Sequence, residues 1–74
     1  MIDVFHNGNR ETILSNRGEE PVLWKAAFLG EHEAVVCEDE KIPCMQEQNE
    51  AGEALSFVLI EVKAGESRRV RIRD

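Results

Sequence analysis

The sequence has no long hydrophobic run, and stretches such as "AAFL" (26–29) and "FVLI" (57–60) are typical of its longest. A membrane-spanning helix needs roughly 20 consecutive apolar residues, so none is expected. The opening "MIDVFHNG" carries neither the basic start nor the apolar centre of a secretory signal. Cysteine is scarce, with 2 in 74 residues, which rules out a dense disulfide framework and points to a cytoplasmic setting. Positive charge is in deficit: Lys and Arg number 9 against 15 Asp and Glu, a net charge of −6. A binder of nucleic-acid backbone needs a basic face to release counterions, so no nucleic-acid partner is expected. Catalytic signatures are missing too, since no G-x-S-x-G, H-E-x-x-H or P-loop pattern occurs.

What is present suits strands. The 42% hydrophobic and 32% charged fractions are ordinary for a globular domain, and 74 residues hold a single domain with one thin core. "IDVF" (2–5) ends at "HNGN", where Asn7-Gly8 reads as a type I′ hairpin turn. "ETILS" (11–15) ends at a second turn, Asn16-Arg17-Gly18. "PVLWKAAF" (21–28) is short for a helix, follows a proline and stops at Gly30. Extended, it lines up Val22, Trp24, Ala26 and Phe28 on one face.

"AVVCE" (34–38) and "IPCMQEQ" (42–48) form a hairpin around "DEK". "ALSFVLIEV" (54–62) is apolar on both faces, as a central strand is. "SRRVRIR" (67–73) turns Val70 and Ile72 inward and Arg69, Arg71 and Arg73 outward. The expected fold is therefore all-β, a small antiparallel sandwich or open barrel of six to seven short strands spanning residues 1–74. Its expected core is Val4, Ile13, Val22, Trp24, Phe28, Val35, Ile42, Leu55, Phe57, Leu59, Val70 and Ile72.

Cys37 and Cys44 flank the acidic tip and are the one hint of a site. With the turn centred on Asp39-Glu40, Cys37 faces Ile42 and Cys44 lies one diagonal step away, roughly 7–8 Å off. A disulfide needs Cα atoms within about 4.4–6.8 Å, which a longer turn would allow. Structural zinc asks for four closely grouped ligands, and only the isolated His6 and His32 could complete a set. Two buried thiols without metal or cofactor remain the preferred reading. The acids of "GEHE", "CEDE" and "QEQNE" fall in loops and at strand ends, where they serve solubility; no glycosidase pair held across a cleft emerges. Trp24 could stack on a sugar, but its apolar neighbours favour the core. The cluster Arg68, Arg69, Arg71 and Arg73 is expected to pair with an acidic strand and blunt a sheet edge.

The order "VFHNGNRETILSNRGEE", "AVVCEDEKIPCMQEQ" and "GEALSFVLIEVKAGESRRVRI" resembles the β-sandwich segments that follow the catalytic domains of α-mannosidase-type glycoside hydrolases. Ile42, Pro43 and Gln46 match a Pro-to-Gln step, Leu55 and Phe57 the next strand, and Ala64-Gly65 the last turn. Asn7-Gly8 stands where Asn-Pro is usual, and arginines replace an aromatic in the last strand. The zinc-binding residues of such enzymes belong to a separate domain, so no catalytic residue carries over. The resemblance implies a non-catalytic accessory β-domain of a carbohydrate-active enzyme, packing on a neighbouring domain, with at most weak sugar binding. The alternative is an autonomous interaction module that uses a sheet edge or face to hold a partner or a second copy of the chain.

Overall fold

The computed structural model describes residues 1–73 and contains only strands and turns: β1 (Ile2–Asn7), β2 (Glu11–Asn16), β3 (Val22–Leu29), β4 (Ala34–Cys37), β5 (Glu40–Pro43), β6 (Met45–Gln48), β7 (Ala54–Val62) and β8 (Ser67–Arg73). They form two antiparallel sheets, one ordered β1-β2-β8-β4-β5 and the other β3-β7-β6. The sheets stack without closing into a barrel, so the all-β expectation holds, with eight strands rather than six or seven.

The extra strand comes from the stretch read as one, "IPCMQEQ". Its first half pairs with β4, its second half with β7, and the chain changes sheets at Cys44. The Cys44 N–H donates to Glu33 O at 2.9 Å, extending the β4–β5 ladder by one step before the crossing. A proline at Pro43 suits this corner, because a ladder donor is dispensable where a strand leaves its sheet.

Turn chemistry also departs from expectation. Asn7 pairs with Glu11, so the first hairpin has a three-residue loop in which Gly8 alone takes positive φ, 68°. The two-residue turn with both centres at positive φ lies instead at Glu38 (51°) and Asp39 (71°), the pattern of a type I′ hairpin. It sets Cys37 opposite Glu40 and Val35 opposite Ile42, two residues from the expected register, with the turn one position earlier. The right-handed strand twist favours this geometry even though neither residue is a glycine.

The core lies between the sheets. Leu14, Val35, Cys37, Val62 and Val70 are wholly inaccessible, with Ala26, Phe28, Val58, Ile60 and Ile72 around them. Val4, Trp24 and Ile42 pack against that cluster as expected, while Val22 is half-buried. Two strands present the face opposite to expectation. On β2, Thr12, Leu14 and Asn16 point inward and Ile13 outward beside Phe5. On β7, Ser56, Val58, Ile60 and Val62 are buried, leaving Leu55, Phe57 and Leu59 on the outer face.

The physical reason is the anchoring of polar groups. Asn16 is 2% exposed. Its side-chain amide donates to Glu20 O (2.7 Å) and Val62 O (3.0 Å), and its Oδ1 accepts from the Gly18 N–H (2.9 Å). Ser56, inaccessible on β7, accepts from the His32 N–H (2.7 Å) and lies within donating distance of Gly30 O (2.8 Å) and Gln46 Oε1 (3.0 Å). Buried polar groups must be satisfied, so these two residues fix which face of each strand turns inward.

Candidate interaction surface

The sequence-level candidates do not converge. Cys37 is inaccessible, and its ladder partner is Glu40. Cys44 sits opposite Glu33, four positions further along the same hairpin. At about 3.3 Å per residue the two lie on the order of 13 Å apart, beyond disulfide reach. Both are thiols in this structure. Ellman titration of the folded chain should modify Cys44 well before Cys37, and unfolding without reductant should expose two thiols. A count of zero in the unfolded chain would contradict the observed hairpin register.

The histidines serve their own neighbourhoods. His6 Nδ1 meets Thr12 Oγ1 at 3.2 Å, while His32 Nε2 bonds Leu29 O at 2.7 Å. Among the described residues no group of three or more His, Cys, Asp or Glu side chains is placed to hold a metal ion. No described helix is long and apolar enough to cross a membrane.

The arginine cluster is not at an edge. Strand β8 is the centre of the five-stranded sheet, between β2 and β4, so the expected edge-guarding role is corrected. Arg69 pairs with Glu11 across the outer face at 3.6 Å. Arg68 turns inward: it donates to Glu61 O (3.1 Å) and Cys37 Sγ (3.2 Å), and its Nε lies 3.4 Å from Glu38 Oε1. Burial lowers the Arg68 pKa, but the Cys37 contact and the acids Glu38 and Glu66 outweigh it and raise the value overall, so the group stays charged. Arg68 thus ties β8 to β7 and to the β4–β5 turn.

What the fold assembles instead is a surface, the outer face of β3-β7-β6. Cross-strand pairing builds it in rows: Leu23 beside Glu61, Lys25 beside Leu59, Ala27 with Phe57 and Met45, and Leu29 with Leu55 and Glu47. Leu23 is 65% exposed, Leu29 52%, Leu59 49% and Met45 47%, which places four of the six large exposed hydrophobics among the described residues on this one face. An antiparallel sheet with a solvated side normally alternates to polar residues there. Here the alternation fails on β7, which is apolar in both directions.

The electrostatics of the face reinforce its apolar character. Lys25 Nζ sits 4.5 Å from the centre of the Phe57 ring and 2.6 Å from Glu47 Oε1. The cation is therefore held by a π face and a carboxylate, and its methylene stem covers apolar surface. Sequence reasoning found Leu55, Phe57 and Leu59 but assigned them to the core. The signal for the face was the double-sided hydrophobicity of "ALSFVLIEV", which alternation alone cannot resolve into inside and outside. Comparison with protein-family models, with curated proteins and with solved structures yields no match for this chain.

Proposed function

We propose that this chain is a non-catalytic β-domain that works by packing the outer face of β3-β7-β6 on a neighbouring protein domain, as an accessory to a carbohydrate-active enzyme in the cytoplasm. The observation that carries the packing role is the concentration of Leu23, Leu29, Met45 and Leu59 on that face. Contiguous apolar patches of this kind mark interaction sites on small soluble domains. The resemblance in strand order and in the Ile42-Pro43 to Gln46 step supports the link to glycoside hydrolases. The scattered carboxylates and the inward-packed Trp24 support a role without hydrolysis.

The test pairs activity with binding. The chain alone is expected to hydrolyse no glycoside, and mannose titrated to millimolar concentration should leave Trp24 fluorescence unchanged. Co-expressed with the protein encoded next to it, the chain should form a complex with a glycoside hydrolase catalytic domain, and Leu59→Glu at the centre of the face should weaken it at least ten-fold, as a central interface residue does. A saturable fluorescence change at micromolar mannose would make the domain a sugar binder. Binding unaffected by Leu59→Glu would remove the face from the interaction.

A further inference from the structure

Strand β3 is an open edge of the three-stranded sheet and, at eight residues, the longest edge strand in the molecule. The other edges are guarded: β6 has four residues and three polar side chains, β5 ends in Pro43, and β1 carries Asp3, His6 and Asn7. Edge strands are ordinarily protected by short length, charge or proline, because their unpaired N–H and C=O groups template another strand. Lys25 is the only charge on β3, and its ammonium is drawn across the face to Glu47 and Phe57. It therefore does not project along the edge.

The phase of the ladder shows what this edge offers. The Gly30 N–H donates to Ala54 O at 2.8 Å. Hydrogen-bonded pairs recur every second residue, so Phe28, Ala26, Trp24 and Val22 direct their backbone groups toward β7. Leu23, Lys25, Ala27 and Leu29 direct theirs outward. Leu29 O already accepts from His32 Nε2, but a carbonyl has a second lone pair.

From this geometry we infer that two copies of the chain associate through β3, antiparallel about a two-fold axis at Ala26. The axis position is selective. Centred on Lys25, it would set two ammonium-bearing residues directly opposite each other. Centred on Ala27, it would oppose Leu23 to Glu31, outside the strand. Centred on Ala26, it opposes Leu23 to Leu29 and Lys25 to Ala27 on the outer face, and Trp24 to Phe28 on the inner face. Every outward backbone group then meets an outward partner, giving roughly eight ladder bonds. The result is a continuous six-stranded sheet. This inference concerns the edge and stands whether or not the outer face is covered.

The Lys25–Ala27 pairing supplies a register-specific test. Sedimentation equilibrium from micromolar to millimolar should show a monomer–dimer equilibrium. Ala27→Lys places like charges opposite each other twice per dimer and should weaken association about ten-fold, whereas Ala27→Glu should strengthen it by a similar factor. Adding Lys25→Glu to Ala27→Lys should restore the wild-type constant. Amide exchange of Lys25 and Ala27 should slow as concentration rises, while that of Ala26, already bonded to β7, should not respond. A chain monomeric at millimolar concentration, or Ala27→Lys and Ala27→Glu shifting association in the same direction, overturns the inference. So would exchange at Lys25 and Ala27 that is independent of concentration.

Discussion

Replacing Asn16 by alanine should cost about 3 kcal/mol, because it strips the buried Val62 carbonyl and the part-buried Glu20 carbonyl and Gly18 N–H of their partner, a buried group being worth about 1–3 kcal/mol when orphaned. Asn16 closes the second turn through Gly18, holds Glu20 O, and crosses the sandwich to Val62 O. Its own backbone bonds Glu66 O and the Gly65 N–H, both at 2.9 Å. One side chain therefore joins the ends of β2 and β7 and the start of β3. A chain of this length has a total stability on the order of 4–11 kcal/mol, so the loss is a large share of it. Urea denaturation followed by Trp24 fluorescence measures it, and a loss below about 1 kcal/mol would mean that water replaces the amide without penalty.

Asn16→Asp adds a pH signature. A carboxyl at this site would face two carbonyl oxygens away from water, and both conditions favour its protonated form. Its folded-state pKa would lie above the unfolded value of about 3.9. The protonated acid's contribution is then present below the unfolded pKa and lost as pH rises through the folded one. Relative to wild type at each pH, the variant should be least destabilised near about pH 4 and most at neutrality.

The second large effect separates neighbours. Leu14→Ala should destabilise by about 3 kcal/mol through lost burial and a residual cavity. Ile13→Ala should cost less than about 1 kcal/mol, since that side chain lies outside beside Phe5. With a urea m-value of about 1 kcal/mol/M for so small a domain, the two midpoints should differ by roughly 2 M. A lower midpoint for Ile13→Ala than for Leu14→Ala would place β2 in the opposite phase.

That contrast shows what the residues alone could and could not convey. Strand β3 was legible because only one of its faces forms an unbroken apolar row, from Val22 to Phe28. Strand β8 was legible because arginines alternate with Val70 and Ile72. Strands β2 and β7 offer apolar residues in both phases, Ile13 or Leu14 and Leu59 or Val58. There the choice belongs to Asn16 and Ser56, whose partners are distant in sequence. The Glu38-Asp39 turn was misplaced by one position because neither residue advertises positive φ; the pairing slips by two residues, so Val35 rather than Cys37 faces Ile42 while the returning strand keeps its faces. The outer face of β3-β7-β6 was invisible for the same reason: its residues were named, but only the opposing sheet decides which row is left outside.

The central place of β8 bears on how the chain acquires its structure during synthesis. Strands β1-β2 and β4-β5 are local hairpins that can close early, yet both need β8 as their common neighbour, and β8 is made after all the others. Until Ser67–Arg73 arrives, the inner edges of β2 and β4 are unpaired and Leu14 and Val35 lack their cover. A nascent chain that has not yet incorporated Ser67–Arg73 carries these hairpins with exposed edges and apolar surface, which invite misassembly. The alternating arginines of β8 place charged gatekeepers on either side of Val70 and Ile72, which opposes aggregation of the strand before it pairs.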